Sequence, residues 1–292
     1  MDREATALAG GLYFGEGPRW RDGRLWLSDF YAHAVKSVSE AGDVRVEVTL
    51  DDQPSGLGWS ADGDLLVVAM RGRRLLKRGR NGALAPFAEL SGVATYHCND
   101  MTVDASGGAY VGNFGFDLDK ELLARGPESV LADHPKAKLA RVAPDGTVSV
   151  AAEDMSFPNG SVITPDGKTL IIAETLGLRL TAFDIGAAGA LLNRRVFAPT
   201  GQVVPDGICL DASGAVWVSN ALGPQCVRIA PGGEVLDVVH TSQNCFACML
   251  GGEDGKTLFL LTAPTSLAAM ASAAANGKIE TVRVESPHAG RP

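Results

Sequence analysis

Asp22-Gly-Arg-Leu-Trp-Leu-Ser28 is a turn dipeptide followed by a short apolar strand, and the chain repeats this unit. It returns as Asp62-Gly-Asp-Leu-Leu-Val-Val68, Asp104-Ala-Ser-Gly-Gly-Ala-Tyr-Val111, Asp166-Gly-Lys-Thr-Leu-Ile-Ile172, Asp211-Ala-Ser-Gly-Ala-Val-Trp-Val218 and Asp254-Gly-Lys-Thr-Leu-Phe-Leu260. Asp-Gly favours the positive-φ turn that joins two antiparallel strands. The turn glycines are Gly23, Gly63, Gly107, Gly167, Gly214 and Gly255, in steps of 40, 44, 60, 47 and 41 residues. Most units carry a second strand-turn-strand, such as Val35-Lys-Ser-Val38 with Val44-Arg-Val-Glu-Val48, or Val227-Arg-Ile-Ala230 before Pro231-Gly-Gly233. Two hairpins make a four-stranded antiparallel sheet, and six such sheets at this spacing predict an all-β fold, a six-bladed β-propeller forming one domain over residues 1–292. A leftover strand signal at 278–285 finds its partner in 8–14, so N- and C-terminal strands together close the ring.

Of the 292 residues, 46% are apolar and 21% charged, enough apolar material for a core. A net charge of −8 excludes nucleic acid as the main partner. The one dense basic run, Arg71, Arg73, Arg74, Lys77, Arg78 and Arg80, reads as a solvated hairpin. No run of about 18 apolar residues and no basic, apolar leader is present, so no membrane partner and a cytoplasmic location are expected. Cys98, Cys209, Cys226, Cys245 and Cys248 are odd in number and unpaired in spacing, which predicts buried free thiols. A monomer or weak homo-oligomer is expected.

The 60-residue step holds an insert at about 115–136 with the amphipathic piece Leu118-Asp-Lys-Glu-Leu-Leu-Ala124, a length typical of binding loops and also of tolerated surface excursions.

Counting back from each turn glycine to the loop before the preceding strand compares equivalent positions. Eight residues back lie Ser55, Asn99, Asn159, Asp206 and Ala247, and seven back in the first unit lies Glu16. Innermost propeller strands line a central tunnel, so these positions converge. Asn and Asp beside Gly are ordinary turn residues when met singly. Their shared place in the repeat, together with a Glu that is no turn former, predicts a metal site of Glu16, Asn99, Asn159 and Asp206. Two carboxylates and two amides suit one divalent cation, Ca²⁺ first, with Mn²⁺, Mg²⁺ or Zn²⁺ as alternatives, although Zn²⁺ prefers nitrogen and sulfur.

At these residues the chain resembles the senescence-marker-protein/gluconolactonase (regucalcin-like) family. The matching pieces are Gly15-Glu-Gly-Pro-Arg-Trp20, Asn99-Asp100, Pro158-Asn-Gly160, Pro205-Asp-Gly207 and Leu250-Gly-Gly-Glu-Asp254. The resemblance implies a six-bladed propeller, a divalent metal bound by Glu16, Asn159 and Asp206, with Asn99 as a further ligand or substrate contact, and metal-dependent lactonase activity. Such a site supports hydrolysis of a lactone or ester substrate, with Asp206 as the candidate catalytic base. The alternatives are phosphotriester hydrolysis at the same metal and a non-catalytic calcium- or ligand-binding propeller.

One position departs from the family. Sugar-lactone members carry Arg two residues before the Asn-Asp pair, and here that residue is His97. His97 is a candidate for substrate hydrogen bonding, for acid–base chemistry, or for packing at the tunnel mouth. Phe114 and Phe116 follow at the start of the insert, as an apolar wall for substrate or as blade core. Together they point to a less hydroxylated, more apolar lactone or ester.

Overall fold

The structure, a computed structural model, describes residues 2–290. Asp22 and Gly23 both have positive φ, 50° and 70°, and Arg21 faces Arg24 across the turn. This is the tight hairpin that Asp-Gly favours. Strands Gly15–Arg21, Arg24–Asp29, Ala34–Ser39 and Val44–Thr49 pair antiparallel as blade one. Blades two to five repeat the pattern over 54–89, 98–155, 158–199 and 205–240. In blade six Asn244–Gly251, Thr257–Ala263 and Gly277–Arg283 are completed by Thr6–Leu12 from the other end of the chain, with Thr6 facing Thr281 and Leu12 facing Gly277. The expected closure is therefore present. Strand Asp2–Glu4 adds a second latch that the sequence did not announce, pairing parallel with Val235–His240 as a fifth strand of blade five.

Apolar side chains on each blade's two faces pack against the next blade. Trp20 stacks on Phe259 of blade six at 5.3 Å, and Trp26 meets Trp59 of blade two edge-on at 5.6 Å. Tyr110 of blade three is fully buried, and its hydroxyl donates to the Gly189 carbonyl of blade four at 2.8 Å. The five cysteines are free and buried, as expected. Among the described residues no helix is long and apolar enough to cross a membrane.

The inner ends of the blades crowd together. A Cβ on Gly160 would lie 2.5 Å from the Ile208 nitrogen, and one on Gly207 would lie 2.6 Å from the Ala247 Cα. The Asn-Gly and Asp-Gly pairs thus place a polar side chain beside a residue that must have none. The insert folds as helix α1, Leu118–Arg125, and helix α2, Pro127–Ala132. Asp117 caps α1 by accepting from the Lys120 N–H at 3.1 Å. Phe116, Val130 and Phe157 form the small core beneath the two helices.

Candidate metal and substrate site

All six innermost strands break register with their neighbours at the same place. The shifts fall between Glu16 and Arg19, Pro54 and Leu57, Cys98 and Met101, Pro158 and Ser161, Pro205 and Ile208, and Cys245 and Ala247. Each is a bulge, which turns a side chain out of the pleat. In five blades the bulge carries the residue found by counting: Glu16, Ser55, Asn99, Asn159 and Asp206. In blade six the equivalent is Cys245, not Ala247, because Asn244 faces Ala263 as Pro54 faces Ala69. The strand Asn244–Gly251 is longer than its counterparts, so a count of eight back from the turn stops two residues short.

Acceptors on neighbouring strands hold the loops that deliver these residues. Asp29, fully buried and paired with Lys36 at 2.7 Å, accepts from the Tyr13 and Phe14 N–H groups just ahead of Glu16. Glu174 accepts from the Ser156 N–H ahead of Asn159, Asn220 from the Val204 N–H ahead of Asp206, and Glu280 from the Ser242 N–H ahead of Cys245.

A directed chain of hydrogen bonds runs round the axis. Ser55 Oγ donates to Asn99 Oδ1 at 3.4 Å, and Asn99 Nδ2 to Asn159 Oδ1 at 3.2 Å. Asn159 Nδ2 then donates to Thr175 Oγ1 at 3.1 Å, and Thr175 Oγ1 to the Pro205 carbonyl at 2.8 Å. This fixes both amides and leaves each amide oxygen a lone pair.

Glu16 and Asp206 are both 7% exposed. Burial first, and then the charges of Asp206 and Asp100, push the Glu16 carboxyl well above the usual range. Burial and Asp100 do the same to Asp206. Asp100 itself is committed elsewhere, its Oδ1 accepting from the Met101 N–H at 2.7 Å and pairing with Arg19 at 3.2 Å. Arg19 lies buried one step further down the tunnel, also donating to the Pro18 carbonyl at 2.7 Å and to the Met101 carbonyl. Sequence reading missed Arg19, Asp100 and Cys245; the acid after Asn99 and the Arg after Gly-Pro were the available signals for the first two.

The donor chemistry fits a hard divalent cation. Two carboxylates that repel in a buried site and two oriented amide oxygens make an oxygen set of charge −2. Among the described residues no three His, Cys, Asp or Glu side chains gather as a metal site; the four candidate donors are two acids and two amides, all oxygen, without the nitrogen and sulfur that zinc prefers.

His97 is half-buried at the mouth, its ring stacked on Tyr96 at 4.1 Å and 6.2 Å from Phe114. Burial, then the Arg71 charge, lowers its pKa, which favours the neutral imidazole. Phe114 packs on Phe157 at 4.8 Å and joins the apolar residues at the mouth. Phe114 also touches the core under the insert, where Phe116 lies beside His134 and meets the same Phe157 at 6.4 Å. A surface groove of about 630 Å³ between blades one and two, around His33, Asp51 and Arg74, is lined mainly by the blades' outer strands and contains none of the four donors.

Residues 14–264 match the model of the SMP-30/Gluconolactonase/LRE-like region. The chain belongs to this family. Regucalcin from Danio rerio is 25% identical over 186 residues, which are 62% of this chain and 59% of that protein's length. The 6-deoxy-6-sulfogluconolactonase of Pseudomonas putida is 24% identical over 288 residues, covering 95% of this chain and 94% of that one. In fold, the chain matches the solved structure of a calcium-binding protein, regucalcin, from Agrobacterium tumefaciens with a TM-score of 0.79, at 22% identity and over 100% and 98% of the two chains.

Proposed function

We propose that this protein is a metal-dependent lactone hydrolase whose divalent cation, Ca²⁺ first, is held by Glu16, Asn99, Asn159 and Asp206. The observation that carries this reading is the convergence of two buried carboxylates and two hydrogen-bonded amides from four blades on one axis. Family membership, and the lactonase name of a relative aligned over nearly the whole chain, support it.

When bound, the cation supplies Lewis-acid polarisation of the ester carbonyl and a lowered pKa for water. The protein's part is positional. The bond chain from Ser55 to Pro205 holds the amide oxygens still, so little reorganisation accompanies reaction. Asp206 is the proposed base, accepting the proton of the attacking water, and Asn99 orients the substrate. Arg19 holds Asp100 out of the donor set through their buried ion pair.

The test is hydrolysis of a lactone panel by metal-stripped protein with Ca²⁺, Mn²⁺, Mg²⁺ or Zn²⁺ restored. Turnover that depends on the cation and falls at least about a hundredfold in Asp206→Ala, the size expected for loss of a general base, supports the reading. Cation binding by calorimetry without turnover of any lactone overturns it, and directs attention to phosphotriesters or to binding without catalysis.

A further inference from the structure

The mouth above the donors is lined with carbon. Phe14 stands two residues before Glu16. Phe30, Met70, Phe114 and Ala221 each follow the last residue of their blade's second strand, Asp29, Ala69, Asn113 and Asn220. These residues, with Phe246 next to Cys245, belong to one apolar cluster. Blades five, six, one, two and three contribute, consecutive members of the ring, so the cluster forms an apolar arc along the mouth above the donors. Phe14 lies 4.8 Å from Phe246 and 5.3 Å from Phe30, and Met70 and Phe246 are both 2% exposed. The blade-four member of the set is Thr175, whose hydroxyl is already used by Asn159 and the Pro205 carbonyl.

The insert spans the same mouth. It leaves blade three, and Asp119 Oδ2 of α1 accepts the Ala268 N–H at 2.9 Å, at the start of helix α3, Ala268–Ala271, in blade six on the opposite side. Ala271 of α3 belongs to the axial apolar cluster.

Resting on the lactone-hydrolase reading of the axis, we infer that the substrate is a lactone bearing an apolar substituent, an alkyl or aryl chain that lodges under this cluster. Phe114 and Met70 are specificity residues. A polyhydroxylated ring is disfavoured, because its hydroxyls would be buried against carbon without partners.

The test is kcat/KM of the cation-loaded protein along γ-butyrolactone, γ-valerolactone, γ-heptalactone and γ-nonalactone, set against glucono-δ-lactone. The expected result is a rise of about fourfold per methylene over the first carbons of the chain, with glucono-δ-lactone below γ-butyrolactone. In Phe114→Ala the nonalactone-to-butyrolactone ratio falls tenfold or more. A rate independent of chain length, or preference for glucono-δ-lactone, overturns the inference while leaving the hydrolase standing. A second measurement separates the two claims. A cyclopentanone carrying a pentyl chain at its 2-position cannot be hydrolysed; a wild-type melting shift with it, reduced in Met70→Ala, supports the apolar chamber even where no lactone turns over. No shift with the ketone, alongside a shift with glucono-δ-lactone, overturns it.

Discussion

Asp206→Asn tests whether the axis is built for a cation. With Glu16, Asp206 and Asp100 ionised and Arg19 charged, the buried group carries −2, and only protons or a divalent cation neutralise it. Both Glu16 and Asp206 are held above their ordinary values, so between those values and the raised ones the folded protein binds more protons than the unfolded chain. Stability of the cation-free protein is therefore fully present below about pH 4 for these groups and is lost as pH rises through the raised values. The loss reaches about 1.4 kcal/mol per pH unit for each carboxyl, roughly 3–5 °C of melting temperature per unit in a domain of this size class. Asn keeps the side-chain oxygen and removes one charge, relieving Glu16 of its second-largest burden after burial.

The assay is the melting temperature of wild type and variant from about pH 4 to 8, in EDTA and in Ca²⁺. The difference between the two proteins isolates the axis from the other carboxylates. In EDTA the variant gains on wild type as pH rises. In Ca²⁺ at a hundred times its dissociation constant the wild type gains about 2.7 kcal/mol, the variant less, and their order reverses. A difference that stays flat with pH in EDTA, or an equal Ca²⁺ shift in both proteins, would refute the reasoning.

Arg19→Leu strands Asp100 as a buried, unpaired carboxylate, and should cost about 3–5 kcal/mol by chemical denaturation, with most of it regained in Arg19→Leu/Asp100→Asn. Glu174 has the opposite sign to the axial pair: burial raises its pKa, but bonds from Arg179, the Ser156 N–H and Thr181 win and hold it low. Its contribution is present above its ordinary value and lost as pH falls through the lowered one, so Glu174→Gln should be less stable than wild type at pH 7 and should converge with it in acid melts. Removing residues 2–12 takes away both latches and exposes the Gly277–Arg283 edge; concentration-dependent aggregation in light scattering is expected, and a monodisperse, equally stable product would show that the ring closes without them.

The ring was legible because its turns are local chemistry. Asp-Gly specifies a hairpin without knowledge of the rest of the chain, and six hairpins in series leave little choice of architecture. The axial residues were legible through the same periodicity, and the one misplaced position has a geometric origin: the inner strand of blade six, Asn244–Gly251, is longer than those of the other blades, so the count from Gly255 lands on Ala247 instead of Cys245. What periodicity could not reveal is partnership. Nothing in Gly15-Glu-Gly-Pro-Arg19 says that its arginine reaches Asp100 of blade three, and nothing in Asn113-Phe-Gly-Phe116 says that Phe114 packs against both the mouth cluster and the core under the insert while Phe116 belongs to the latter.

The two ends of the site argue against a merely structural axis. At the mouth, Phe14, Phe30, Met70 and Phe246 bury apolar side chains against one another, as a purely stabilising layer would. The same ring also buries Glu16, Asp206 and Asp100, with only Asp100 paired to a guanidinium, where leucines would cost no desolvation and leave no repulsion. A stabilising plug does not require that second layer. Two carboxylates, two amides locked in a bond chain and a compensated third acid form an arrangement whose cost the proposed divalent cation would offset. The apolar layer directly above then raises the strength of every electrostatic interaction beneath it by excluding water.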